Sequence, residues 1–339
     1  MAEPARTSGK RTTARKESTQ RVVDCLRSAG PSSQSAIARA TGLSPATVNG
    51  IVAELRAEGR AEVQKRNGRE TRVSLVSKAG VILAVEVSHN SVRGSAFRMA
   101  ECERIDTGML SGSSPKLVVT AVAQLAKAAG VVPADLAGVA VSVEAPIDRR
   151  TDTVASWVTN RLPQWRGVPL TSTLSRAIGT KVMVENDAHL AALAEWAWGV
   201  GRGVDDFLYV KASGGVGGGL LINGQLYHGG SGMAGAIGHV VVAPEGDVCY
   251  CGNRGCLTTL VSERAILAAV TASRAPRGSL REVIDSAIEG DPACRRVLID
   301  AGMSLGRVVA NAAKIVAPST VAIGGTLGGA GDIVLDAVR

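Results

Sequence analysis

Apolar residues recur along this chain in two rhythms, and the change between them falls near residue 80. From about Thr19, the positions Val22, Val23 and Leu26 repeat at helical spacing, and Gly30-Pro31 ends that helix. Ser33 is placed to cap a second helix running through Ala40, and Thr41-Gly42-Leu43 makes a tight turn. Ser44 then stands as an N-cap with Pro45 at the first helical position, opening a third helix that runs through Leu55 and stops at Gly59. Val48, Ile51, Val52 and Leu55 form its apolar stripe, which leaves Ala46, Thr47, Asn49 and Gly50 pointing outward near its start. Residues 61–76 alternate around Asn67-Gly68, the pattern of a hairpin.

Beyond residue 80, short apolar runs alternate with longer helical stretches. Strands are expected at 81–87, 136–143, 181–185 and 206–212. Helices are expected at 117–129, 188–198, 262–272 and 293–316. This order predicts an α/β body. Residues 213–225, SGGVGGGLLINGQ, read as a glycine-rich loop after a strand, a place where backbone N–H groups can approach a ligand.

Charge sharpens this division. The first 80 residues hold 15 Lys and Arg against 7 Asp and Glu, a net of +8, and the net of all 339 residues is also +8. A basic end on a neutral body points to a polyanionic partner at that end. Residues 1–17 read as a disordered basic arm, residues 18–78 as a winged helix-turn-helix, and residues 79–339 as the body. In a helix-turn-helix, base edges are read from the start of the second helix of the motif, so Ser44, Ala46, Thr47 and Asn49 are candidate contacts to double-stranded DNA. Lys65, Arg66 and Arg69 at the hairpin tip would reach phosphate or the minor groove. The competing reading is a small helical interaction domain with solvated charges. The first 20 residues carry no apolar stretch of the signal-peptide kind, and no apolar run approaches the ~20 residues of a membrane helix. A cytoplasmic protein with no membrane partner is therefore expected.

The densest chemistry lies in GAIGHVVVAPEGDVCYCGNRGC, residues 235–256. One imidazole, His239, and three thiols, Cys249, Cys251 and Cys256, supply the four ligands that tetrahedral Zn²⁺ takes, a filled set that holds structure together without catalysis. The alternative is three unpaired cysteines and a core histidine. A disulfide between Cys249 and Cys251 would close a strained ring.

Four segments together resemble the ROK family of repressors, open reading frames and kinases: VENDAHLAALAE from Val184, the glycine-rich run from Ser213 to His239, CYCGNRGCL from Cys249, and AIGGTL from Ala322. The resemblance runs from about Gly80 to the end. It implies a two-lobed actin/hexokinase-like (ribonuclease H-like) fold with a cleft, and zinc at His239, Cys249, Cys251 and Cys256. It also implies that Asn186 and Asp187 contact sugar hydroxyls, that Asp187 would be the general base in a kinase, and that His239 uses its second ring nitrogen on the ligand. With an N-terminal winged helix, the chain resembles ROK repressors of carbohydrate genes, which implies operator DNA, a sugar or modified-sugar effector, and a homodimer or tetramer.

Several positions depart from the family pattern. The kinase phosphate loop is replaced by Glu86-Val87-Ser88-His89-Asn90, which argues against phosphoryl transfer. Ala236 and Thr258 stand where sugar-binding carboxylates are usual. The sequence also ends soon after Gly324-Gly325-Thr326, so either a fragment or a C-terminal lobe closed differently is expected. A DNA-binding regulator that is not an enzyme is the reading adopted. A sugar kinase with an appended DNA-binding domain, and a ligand-blind regulator controlled by a partner protein, are the alternatives.

Overall fold

The computed structural model describes residues 15, 18–26, 30–58, 60–66, 70–75, 80–98, 103–272 and 276–339. The chain divides into two compact units, residues 1–81 with 97–103, and residues 82–96 with 104–339.

In the first unit, α1 (residues 18–26), α2 (Gln34–Thr41) and α3 (Pro45–Ala57) surround a core of Val22, Leu26, Ile37, Val48, Ile51 and Leu55. Each helix boundary has a local cause. The Ser33 hydroxyl accepts from the Ala36 N–H, and Gly42 ends α2 at φ 68°. Ser44 Oγ accepts from the Thr47 N–H at 3.1 Å and bonds the Thr47 hydroxyl at 2.8 Å, with Pro45 pre-setting the first turn. Strands β1 (Ser32–Ser33), β2 (Ala61–Arg66) and β3 (Glu70–Leu75) form an antiparallel sheet in the order β1-β3-β2. The pairing of Arg66 with Glu70 carries the expected hairpin, while β1 adds a third strand where the sequence suggested only a helix cap.

The second unit holds two sheets. The first is ordered β11-β8-β4-β5-β6, from β4 (Val81–Val87), β5 (Ser91–Arg98), β6 (Glu103–Asp106), β8 (Gly138–Val143) and β11 (Val182–Asn186), with β7 (Leu110–Ser111) on β5. Helix α4 (Pro115–Ala128) precedes β8, and the short hairpin β9 (Ile147–Asp148) and β10 (Thr153–Val154) follows it. Helix α5 (Leu170–Ile178), which the sequence pattern missed, leads into β11. Strands β4, β8 and β11 are parallel, and Val87, Val143 and Asn186 stand level in the register. Three carboxyl ends therefore open at one place, the usual location of a ligand site in such sheets.

Helix α6 (Asp187–Trp198) carries the chain to the second sheet, ordered β14-β13-β12-β15, from β12 (Phe207–Ala212), β13 (Val216–Ile222), β14 (Gln225–Leu226) and β15 (Thr320–Gly324). The stretch read as a loop at 213–225 is thus mostly strand, with β13 antiparallel to β12. Its glycines serve packing: a Cβ at Gly219 would collide with the Ala192 methyl of α6, so glycine is what lets this helix lie on the strand. Helices α7 (Thr258–Val261), α8 (Glu263–Ala272), α9 (Leu280–Ile288) and α10 (Pro292–Val316) build a core with β12 and β13, and α11 (Asp332–Val338) packs along α10. No helix among the described residues is long and apolar enough to cross a membrane.

Ser44→Ala removes the acceptor for an otherwise orphaned amide at the start of α3. It is expected to lose about 1 kcal/mol in the first unit, whereas Ser44→Asp keeps the cap. Hydrogen exchange of the α3 amides in the full chain measures both.

Candidate functional site

The candidate DNA-reading residues fall together on the first turns of α3. Ala46 and Asn49 are exposed, and Thr47 is half-buried with its hydroxyl held by Ser44. Ser44 thus spends its hydroxyl on the cap. Arg15, part of the expected arm, is a residue the sequence reading passed over. Its Nη2 donates to Glu54 Oε1 at 2.7 Å, and a Cβ on Gly50 would lie 3.2 Å from it, so Gly50 leaves room for this guanidinium against the helix. Lys65 and Arg66 are described by their backbone alone, and Arg69 lies outside the described residues.

In the second unit, a cleft of about 420 Å³ opens where β4, β8 and β11 end. Asn186, Asp187, Lys211, Ala236, His239 and Tyr250 line it, so the three predicted ligand residues do meet. Asn186 is the cap of α6: its Oδ1 accepts from the Ala188 and His189 amides at 2.9 and 3.1 Å, and its Nδ2 donates to the Ala145 carbonyl at 2.9 Å. Most of its hydrogen-bonding capacity is therefore spent on the fold.

Asp187, one residue on, is ion-paired with Lys211. Burial raises the Asp187 carboxyl above its ordinary range, against the pull of Lys211. Burial by itself would lower the Lys211 ammonium, but the facing carboxylate outweighs it and the group is raised. Lys211 is thus held as a cation against the Asp187 carboxyl. The sequence showed Lys211 only as a polar break in an apolar strand.

The segment replacing the phosphate loop is filled by its own contacts. Ser88 N–H donates to the Ser91 carbonyl at 2.9 Å, and the Ser88 hydroxyl donates to Asn90 Oδ1 at 3.1 Å. His89 N–H reaches Glu144 Oε2 at 3.3 Å, and Arg161 lies 3.0 Å from His89 Nδ1 and 3.7 Å from Glu144. Burial would raise Glu144, but hydrogen bonding from His89 and the charge of Arg161 bring it below the ordinary value. On the opposite side, Ser213 Oγ accepts from the Thr326 N–H at 2.9 Å, tying the end of β12 to the turn after β15.

The Cys/His set forms a compact knuckle. His239 ends a 3-10 turn over Ile237–His239, and the cysteine loop closes through Cys249 N–H to the Asn253 carbonyl at 2.7 Å. Gly255 has φ 65°, and a Cβ there would run into the Ala243 carbonyl, so the loop folds only with glycine. The donor atoms of His239, Cys249, Cys251 and Cys256 all lie within 4.8 Å of one another. His239 Nδ1 is 3.5 Å from Cys249 Sγ, and Cys251 Sγ is 3.6 Å from Cys256 Sγ, which suits a tetrahedral ion with bonds of about 2.3 Å to sulfur. Burial pushes Cys256 up to about 12 and also raises Cys249, so a cation is what would bring these sulfurs together as thiolates. The cluster can hold a metal ion.

His239 lines the cleft and also contacts a neighbouring ring. Its second ring nitrogen, Nε2, lies 3.0 Å from the Tyr250 hydroxyl, with Trp157 edge-on at 4.6 Å and the Arg161 guanidinium 4.9 Å over the Tyr250 ring. Tyr250 was visible in the motif as the residue between two cysteines, but spacing carries no sign of which way it turns.

An α/β body of sugar-kinase architecture with a Cys3His knuckle beside its cleft, on a chain that begins with a winged helix, is the class these features define. The chain belongs to the ROK family, whose model matches residues 85–339. A winged helix-turn-helix DNA-binding model matches residues 15–60. The xylose repressor of Caldicellulosiruptor bescii is 27% identical over 333 residues, spanning 91% of this chain and 82% of that protein. The glucokinase of Thermotoga maritima is 35% identical over 191 residues, 52% of this chain and 60% of that protein. Among solved structures, a ROK family transcriptional regulator homologous to the E. coli MLC protein shares the fold with a TM-score of 0.76 at 22% identity, covering 96% of this chain and 87% of that one.

Lys211→Met leaves the buried Asp187 carboxylate without its ionic partner, holding only the Ala188 N–H, and is expected to lose about 1–3 kcal/mol. Asp187→Asn in the same chain should recover roughly half of the loss or more, because the orphaned charge is gone. Urea unfolding of the four members of this cycle measures the coupling.

Proposed function

We propose that this protein is a DNA-binding transcriptional repressor of carbohydrate-related genes, whose ROK body senses an effector and does not phosphorylate it. The observation that carries this reading is the combination within one chain of a capped helix-turn-helix and a cleft in which Ser88 and His89 occupy the phosphate-loop position and Asp187 is ion-paired with Lys211. The likeness to a xylose repressor over 91% of the chain supports it, whereas the glucokinase likenesses span about half to two thirds of the chain and leave out the winged helix.

In this proposal, residues 1–17 form a basic arm, 18–78 the winged helix and 79–339 the sensing body. Ala46, Thr47 and Asn49 read bases, while Lys65, Arg66 and Arg69 contact the backbone or minor groove. The protein acts in the cytoplasm as a homodimer or tetramer, so that two winged helices meet operator half-sites of fixed spacing. The effector is a sugar or modified sugar. Asn186, Asp187 and His239 border its pocket, and the Tyr250 ring offers an apolar face suited to a sugar ring. With Ala236 and Thr258 in place of carboxylates, hydroxyl recognition falls to Asp187, Lys211 and the Tyr250–His239 pair. Zn²⁺ held by His239, Cys249, Cys251 and Cys256 fixes the His239 ring and, through it, Tyr250.

Retention of sheared genomic fragments on the protein identifies the operator. Asn49→Ala is then expected to lose about 1–3 kcal/mol of operator affinity while leaving non-specific binding unchanged. Equal retention of all fragments by the unaltered protein would defeat the proposal. For the metal, the purified chain is expected to hold zinc through dialysis, measured by plasma mass spectrometry. Cys251→Ser should lose that zinc and lower the melting temperature together.

A further inference from the structure

A second cluster of metal-binding side chains lies apart from the cysteine knuckle. Glu185 closes the strand before α6, His189 sits on the first turn of that helix, and His228 follows β14. Their donor atoms all lie within 4.8 Å of one another. His189 is buried, with its side chain only 3% exposed.

The hydrogen-bond inventory of this cluster does not balance among neutral rings. His189 Nε2 lies 2.8 Å from the Ala234 carbonyl, which can only accept, so Nε2 carries the ring proton. Nδ1 is then a lone pair, and it faces Glu185 Oε1 at 3.1 Å, a second acceptor. The same conflict recurs at His228. Its Nε2 receives the Arg149 guanidinium at 2.7 Å, yet stands 2.8 Å from Glu185 Oε2. With neutral rings, two imidazole lone pairs would converge on one carboxylate, and a guanidinium paired with that carboxylate occupies the mouth of the group.

We propose that Glu185, His189 and His228 form a divalent-cation site, with Arg149 as the resident cation that a metal ion displaces. Two imidazoles and a carboxylate are borderline donors, the set that takes zinc, cobalt or nickel and leaves further positions to water. The Ala234 carbonyl would play the outer partner that orients a ligating histidine. Arg149 is half-exposed and can swing into solvent. A bound ion would join the start of α6 to the loop of residues 228–234, which is already closed by the Ala234 N–H on the His228 carbonyl at 3.1 Å. That loop runs on to Ala236 and His239 in the cleft wall. The proposal does not depend on the repressor reading.

The test is titration of Co²⁺ into the tag-free, zinc-loaded full chain near pH 8, about 1.5 units above the ordinary histidine pKa, read by calorimetry and by visible absorption. One equivalent is expected to bind, with ligand-field bands and no added thiolate charge-transfer band, which separates this site from the cysteine knuckle. His228→Asn should weaken binding by more than about tenfold, the lower end of the loss from disturbing even an outer-shell partner. Arg149→Gln should tighten it, an effect that a merely structural role of the arginine would not produce. Far-ultraviolet circular dichroism checks that each variant folds. If His228→Asn fails to fold, the wild-type and Arg149→Gln titrations decide. Absence of a cobalt equivalent, binding unchanged in His228→Asn, or weaker binding in Arg149→Gln would overturn the site and leave a proton-held ion-pair network.

Discussion

Everything in the body turns on the junction at Asn186 and Asp187. One sheet ends there and the helix that packs on the other begins. Asn186 caps that helix with its carbonyl and holds the Ala145 backbone with its amide, so a single side chain fixes the ends of β8 and β11 and the direction of α6. Asp187 then reaches Lys211 on β12. Because α6 lies close on β13 over glycine, this contact is one of the links between the two sheets. The residues that resemble a sugar-binding motif are therefore first a mechanical joint, and any ligand that competes for Asp187 competes with the joint itself.

The same economy marks the opposite wall. The cysteine knuckle sets the His239 ring from one side while Tyr250, Trp157 and Arg161 hold it from the other. A metal on Nδ1 and a phenol on Nε2 would leave the imidazole no freedom, which makes it a fixed wall of the pocket. A kinase needs a free base and an open phosphate loop. Here the base is ion-paired, and the loop is occupied by the contacts of Ser88 and His89. A regulator needs only that occupancy of the cleft shift the balance of such contacts.

Much of this was legible in the chain before any coordinates. Helix boundaries at Ser33, Gly42 and Ser44 follow from caps and turns that act within four residues. The Cys/His set was legible because its spacing is short and its donor chemistry is narrow. The glycine-rich stretch after β12 was misjudged as a loop, since glycine usually marks a turn. Here it marks the close approach of a helix that lies elsewhere in the sequence. Strand β1 carries no alternating apolar signal in its two serines, whereas α5 does show a helical stripe in Leu170, Leu174 and Ile178, which is short and lies between turns.

By itself, the sequence determined the order of many elements, the basic end and neutral body, the capped third helix and the identity of three thiol donors and one imidazole, because each of these rests on local sterics, charge or ligand preference. Tertiary structure alone decided which charges meet. Lys211 stands 24 residues from Asp187, and Tyr250 turns onto His239 across 11. His228 comes to Glu185 across 43 residues, and Arg149 across 36. These encounters are set by how two sheets pack and how a loop closes, and no spacing along the chain encodes the direction in which a side chain points once they do.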